Sequence, residues 1–88
     1  MVQGALSCGD ASVRKEVAAR RAAAEGALRR RLQRAKREGD LSKNADPAEL
    51  AHYVMTVVRG MAVQSAGGAS RDQLRRAAQL ALRAWPKR

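Results

Sequence analysis

The side chains that most often carry catalysis or bind metals are few in this chain and stand far apart. His52 is the single histidine, and neither a cysteine nor a carboxylate pair at ligand spacing accompanies it. Because a zinc site needs three or four such ligands, we expect no metal site and no histidine-based catalytic unit. The simpler interpretation places His52 on the polar edge of a helix. We therefore expect no catalytic residue and no cofactor.

The lone cysteine and the serines add little to this chemistry. A redox-sensing thiol needs an electropositive setting, and Cys8 is more simply a small residue packed near the start of the domain. Ser12 and Ser70 have no neighbouring base and stand where helix caps are expected. The pair Gly67-Gly68 follows a predicted helix and lacks the Lys-Ser/Thr pair of a phosphate-binding loop. These observations argue against an enzyme.

Positive charge is concentrated in one segment. Residues 14–38 hold ten basic residues against three acidic ones, which accounts for +7 of the formal net charge of +10. Such a helix could bind phosphates or an anionic membrane with an affinity that falls as salt rises. It offers only Gln33 as a side-chain amide and no aromatic residue, so it has little with which to recognise bases. The simpler interpretation is the solvated face of a helix that packs through a narrow Leu/Val/Ala stripe.

Length and composition predict a domain that is short of core. The chain has 88 residues, no Phe, and only Tyr53 and Trp85 as aromatic residues, so we expect it to need a partner surface to fold firmly. No apolar run approaches the roughly 20 residues that span a bilayer. The first ten residues lack the basic start of a signal peptide, and one cysteine cannot form an internal disulfide. We expect a cytoplasmic protein that does not bind membranes.

Three segments with helical periodicity predict an all-α fold with helices at about 13–38, 47–65 and 71–85. The expected caps are Asp10 or Ser12 for the first helix, Asp46 with Pro47 and Glu49 for the second, and Ser70 with Gln73 for the third. The expected stops are Gly39 for the first, Gly67 and Gly68 for the second, and Pro86 for the third. No alternation typical of strands is present.

The second predicted helix is apolar on two sides. One stripe matches a helical template at every step, and it consists of Leu50, Tyr53, Val54, Val57, Val58 and Met61. Ala51, Met55 and Ala62 form a second stripe. A helix that is apolar on most sides is buried on most sides, so we expect one side to face the chain's own core and the other a partner. Gly60 would allow a close helix crossing.

Several short motifs follow one another in a particular order. They are Val2-Gln3-Gly4-Ala5-Leu6, Ala18-Ala19-Arg20-Arg21 with Leu28 and Leu32, Gly39-Asp40-Leu41, Asp46-Pro47-Ala48-Glu49-Leu50-Ala51, Thr56-Val57-Val58-Arg59-Gly60-Met61-Ala62-Val63-Gln64, Gly68-Ala69-Ser70-Arg71 with Leu74, Leu80-Ala81-Leu82 and Trp85-Pro86. In order and spacing the chain resembles the C-terminal half of TetR/AcrR-family transcriptional regulators. The resemblance covers almost the whole chain.

This resemblance implies a three-helix fragment of a TetR-type C-terminal domain, whose last two helices form a four-helix bundle in a homodimer. The dimer interface it implies consists of Met55, Val58, Gly60, Met61, Ala62, Leu74, Ala78, Ala81, Leu82 and Trp85. The implied remnant of an effector pocket consists of Leu28, Leu32, Tyr53, Val54 and Val57. In such regulators operator DNA is bound by an N-terminal helix-turn-helix domain, which we expect this chain to lack, and a small-molecule effector releases it.

Two other interpretations stay open at this point. One is a stand-alone basic helical protein that binds nucleic acid or an anionic surface non-specifically through Arg29, Arg30, Arg31, Arg34 and Arg37. The other is a plain helical oligomerisation module without a ligand. The second helix, apolar on two sides, favours dimerisation over a solitary basic rod.

Overall fold

The computed structural model describes residues 3–87, with side chains from residue 10 onwards. The described part of the chain folds into three helices, α1 (Gln3–Arg37), α2 (Pro47–Ala66) and α3 (Arg71–Arg83), without a strand. The predicted all-α fold class is therefore confirmed. The interpretation of Cys8 concerns a side chain outside the described residues.

Helix α1 begins at Gln3, whereas the sequence pattern placed its start at Val13. The two predicted caps, Asp10 and Ser12, therefore lie inside the helix. The Asp10 carboxylate lies 3.5 Å from the Arg14 guanidinium one turn later, where it supports the helix as an i,i+4 ion pair. No proline interrupts this segment, and its alanines favour the helix, so a potential cap is not enough to start it later.

Glycines with left-handed backbone end α1 and α2. At Gly39, with φ of +83°, the amide donates to the Lys36 carbonyl at 3.1 Å, and the amide of the next residue donates to the Ala35 carbonyl at 2.9 Å. Gly68, with φ of +99°, heads an equivalent pair of bonds after α2. This double bond pattern satisfies the last carbonyls of a helix and needs a residue that tolerates positive φ, which is why glycine stands at both places.

Side-chain caps start the second and third helices as the sequence predicted. The Asp46 carboxylate accepts from the amide of Ala48 at 3.0 Å. Ser70 and Gln73 form a capping box, with the Gln73 amide donating to Ser70 Oγ at 3.1 Å and the Ser70 amide donating to Gln73 Oε1 at 2.8 Å. These bonds satisfy amides that have no partner inside the helix.

Helix α3 ends at Arg83 rather than at Trp85, and α2 extends by one residue to Ala66. After α3 the amides of Ala84 and Trp85 bond three residues back in a tighter turn. The Pro86 carbonyl then accepts from the amide of Ser42 at 3.1 Å. The residues after α3 are thereby tied to the connector between α1 and α2.

The three helices lie side by side in a single layer. Helix α2 is central, since it packs against α1 on one side and α3 on the other, while α1 and α3 do not contact each other. The described backbone measures 53 × 30 × 14 Å. Since α1 and α3 flank α2 without contacting each other, no helix of the described chain covers either broad face of the layer. Both broad faces of the layer are open.

The buried core lies at the turn from α1 into α2. Its members are the hydrophobic residues that are less than a tenth exposed: Leu32, Leu41, Ala45 and Ala51. Half-buried side chains pack against them, namely Leu28, Ala35, Leu50 and Trp85. We call these eight residues the elbow core. Helix α3 has no buried residue, so the far side of the layer contributes nothing to a core of its own.

Candidate interaction surfaces

An apolar groove runs between α2 and α3. It encloses about 220 Å³ and is lined by Tyr53, Val54, Val57, Val58, Met61, Ala78, Ala81, Leu82 and Trp85. The Tyr53 hydroxyl donates a hydrogen bond to the Ala81 carbonyl at 3.1 Å, which fixes the two helices against each other. No charged side chain lines the groove, so a second apolar surface could cover it without burying an unpaired charge.

One large hydrophobic side chain from each helix stands at this groove and is mostly in solvent. Val58 of α2 is 54% exposed and Leu82 of α3 is 64% exposed. Tyr53 is 36% exposed and the other residues of the groove are half-buried, so Val58 and Leu82 belong to a continuous apolar surface rather than to isolated positions. Continuous surfaces of this kind mark interaction sites.

A second groove opens on the other side of the contact between α2 and α3. It is lined by Val57, Gly60, Met61, Gln64, Ala69, Gln73, Leu74, Ala77 and Ala81. Two glutamines make it more polar than the apolar groove. Val63 and Leu80 are 65% and 61% exposed, at least about as much as Val58 and Leu82, yet they line neither groove. The sequence carried no signal for their exposure, because an apolar side chain off the main stripe can still be covered by a neighbour.

The ten residues of the predicted dimer interface divide between these surfaces. Those in the apolar groove are Val58, Met61, Ala78, Ala81, Leu82 and Trp85. Gly60 and Leu74 line the second groove. Met55 and Ala62 line neither groove; Met55 is half-buried and Ala62 is exposed.

The predicted remnant of an effector pocket is divided in the structure. Tyr53, Val54 and Val57 lie in the apolar groove between α2 and α3. Leu28 and Leu32 belong to the elbow core, where Leu32 is only 7% exposed. The five residues therefore do not line one cavity. Periodicity identified them correctly as apolar positions, but it does not say which neighbour covers each side of a helix.

A third groove, which we call the basic groove, lies between α1 and α2. It encloses about 450 Å³ and is lined by Ala18, Arg21, Ala22, Glu25, Gly26, Arg29, His52 and Arg59. His52 Nδ1 lies 3.3 Å from Glu25 Oε1. The sequence placed His52 on a polar edge but gave no hint of this partner, which stands 27 positions away.

The described residues form neither a metal site nor a membrane-spanning helix. No group of three or more His, Cys, Asp or Glu side chains comes together there in a way that could hold a metal ion. None of the three helices, over the residues described, combines the length and the apolar character needed to cross a bilayer.

A comparison with protein families identifies the family to which this three-helix layer belongs. Residues 6–85 match the family described as the tetracyclin repressor-like, C-terminal domain. The chain belongs to this family, and the resemblance seen in the sequence is confirmed. Domains of the family are the ligand-binding and dimerisation region of transcription regulators. Comparisons with curated proteins and with solved structures give no match.

Proposed function

We propose that this chain is the dimerisation region of a transcription regulator and pairs with a second copy of itself. In the proposed homodimer, α2 and α3 of each copy form a four-helix bundle through the apolar groove. The chain performs no catalysis in this account and acts in the cytoplasm. Operator DNA would be bound by a helix-turn-helix domain, and we assign that binding to no residue described here.

The observation that carries this proposal is the exposed apolar surface on a one-layer fold. A single layer cannot bury both of its faces, and α3 has no buried residue at all. Val58 and Leu82 stand on the same face, one on each helix, beside a groove without charge. A two-fold interface is self-complementary, so one such face on each copy is enough to cover the other.

The distribution of charge supports the same arrangement. Of the other two helices, the arginine-rich helix α1 contacts α2 and not α3. Pairing through α2 and α3 would therefore leave α1 on the outside of the dimer. In that position the positive charges of the two copies lie far apart and are screened by salt.

We assign effector binding to this chain only in part. Tyr53, Val54 and Val57 provide one apolar wall at the groove, while Leu28 and Leu32 are already used by the elbow core. Ligand pockets usually bury most of a small molecule's surface, which an open groove does not do. A tight complex of this chain alone with a small apolar ligand is therefore not expected.

Two valines of α2 provide a matched test of the dimer. We expect Val58→Glu to weaken self-association by at least about tenfold, since it would place an unpaired charge in the seam. Val63→Glu adds the same charge to the same helix at a side chain that is equally exposed but lies outside the groove. Sedimentation equilibrium of the wild type and both variants measures the effect. A folded wild-type monomer at tens of micromolar, or equal weakening by both substitutions, would contradict the proposal.

Two leucines of α3 repeat the test on the other side of the groove. Leu82→Glu should weaken association, whereas Leu80→Glu should leave it near the wild-type value. Both side chains are more than half exposed in the single chain, so neither change removes a core contact. If Leu80→Glu were the more damaging of the two, the opposite face of the layer would be the interface.

A further inference from the structure

The basic groove lies between α1 and α2, beyond the elbow core. Near the elbow core the two helices are in contact, but every residue from 10 to 24 of α1 is exposed. Side chains from both helices enter the resulting space, with Arg21 and Arg29 from α1 and Arg59 from α2. Ala18, Ala22 and Gly26 of α1 also line the groove, and because they are small they leave space in it.

The three arginines of this groove have no acidic partner among the described residues. The arginines that do form ion pairs lie outside the groove and pair with an acidic residue one helical turn away, such as Arg20 with Glu16 and Arg34 with Glu38. The single carboxylate inside the groove, Glu25, is instead paired with His52 at 3.3 Å. The donors of the three guanidinium groups are therefore available to a ligand.

We propose that the basic groove binds a small molecule that carries several negative charges on phosphate or carboxylate groups. The planar guanidinium group binds both kinds of oxyanion through paired hydrogen bonds. The groove is open to solvent, so charge-assisted hydrogen bonds rather than burial would provide the affinity. A compact anion in this groove would lie beside arginines of both helices, which favours it over a partner that contacts α1 alone. This site is separate from the apolar groove and does not depend on the proposed dimer.

Calorimetric titration at constant ionic strength tests the proposal, with tripolyphosphate and citrate as the probes. For the wild-type chain we expect saturable binding of at least one of them, and the tighter probe identifies the preferred oxyanion. The double variant Arg29→Gln/Arg59→Gln should weaken binding by at least about tenfold, because charge-assisted hydrogen bonds are the strong ones. The matched control, Arg31→Gln/Arg83→Gln, removes the same charge from exposed positions outside the groove and should change binding by less than about twofold.

A substitution that should increase affinity makes the test more specific. Glu25→Gln removes the one negative charge in the groove and should tighten binding several-fold, while Glu16→Gln, outside the groove, should not. Circular dichroism and sedimentation confirm that each variant keeps its fold and its association state. The proposal would be overturned if neither probe bound at millimolar concentration or if groove and control variants behaved alike. It would also be overturned if only duplex DNA bound and the groove variants left that binding unchanged.

Discussion

The two helix pairs of this layer differ in what they do with their apolar side chains. Where α1 turns into α2, four hydrophobic residues are buried and four more pack against them. Between α2 and α3 a longer apolar surface exists, yet α3 buries no residue and Val58 and Leu82 remain mostly in solvent. The apolar side chains of the first pair are covered within the chain, whereas those of the second remain exposed.

This difference shows that apolar periodicity alone does not separate core from interface. Both pairs carry the same type of stripe, and only the third dimension decides which stripe is covered. At the elbow, the connector adds Leu41 and Ala45, and the turn after α3 adds Trp85. The middle of the α2–α3 pair receives no such addition. An interface is expected where a stripe lacks a covering segment of its own chain.

The largest expected effect comes from the elbow. Leu32→Ala should destabilise the chain by about 2–5 kcal/mol, because it opens a cavity in a core that holds only four buried side chains. Leu82→Ala removes the same atoms from a side chain that is 64% exposed. It should weaken association but leave the unassociated chain close to its original stability. Urea denaturation at high and low protein concentration separates the two effects. If both variants lost the same free energy of unfolding at high dilution, the difference between the elbow core and the apolar groove would be contradicted.

An intermediate effect is expected at the start of α3. Ser70→Ala removes the capping box and should cost about 1 kcal/mol. Helix α3 has no buried residue to compensate, so the loss should appear as fraying of α3 before the elbow opens. Ser65→Ala, an exposed serine inside α2, is the control and should be close to neutral. Residue-resolved hydrogen exchange of the Ser70→Ala variant would show this fraying. Unchanged protection of the α3 amides from exchange would argue against a weakly held third helix.

The smallest effect, and the one whose sign is informative, is expected at Gly60. A Cβ added there meets no atom within 4 Å in the single chain, so Gly60→Ala should stabilise the isolated helix by up to about 1 kcal/mol. If a partner helix crosses closely at Gly60, the same substitution should weaken the dimer. Sedimentation combined with thermal melting distinguishes the two. Tighter association in the variant would place the crossing elsewhere and narrow the interface to the apolar groove.

Local signals in the sequence predicted much of this fold. The capping box at Ser70, the cap at Asp46 and the glycines that end α1 and α2 all act within a few residues, so their chemistry can be recognised from the sequence. The predicted start of α1 at Val13 was wrong, because Asp10 can cap a helix only if the residues before it are not already helical. A capping residue alone does not decide whether the residues before it are helical.

The surfaces were harder to predict because they depend on contacts between distant segments. The pairing of His52 with Glu25 joins residues of two helices, and nothing near either residue signals it. For the same reason Leu28 and Leu32 were grouped with Tyr53 although the structure separates them between the elbow core and the apolar groove. The periodic pattern identifies the apolar side of a helix, whereas the packing of neighbouring segments decides whether that side is buried in the core or left exposed.

Thermal melting followed by circular dichroism, at protein concentrations from about 1 to about 100 µM, tests the central claim most directly. If the thin core is completed by a second copy, dissociation and unfolding occur together and the melting midpoint rises with concentration. The Val58→Glu variant should then melt at a lower midpoint than the wild type at every concentration, while Val63→Glu keeps the wild-type midpoints. A wild-type midpoint that stays constant across this range would show that the layer is stable alone, and the account would be wrong.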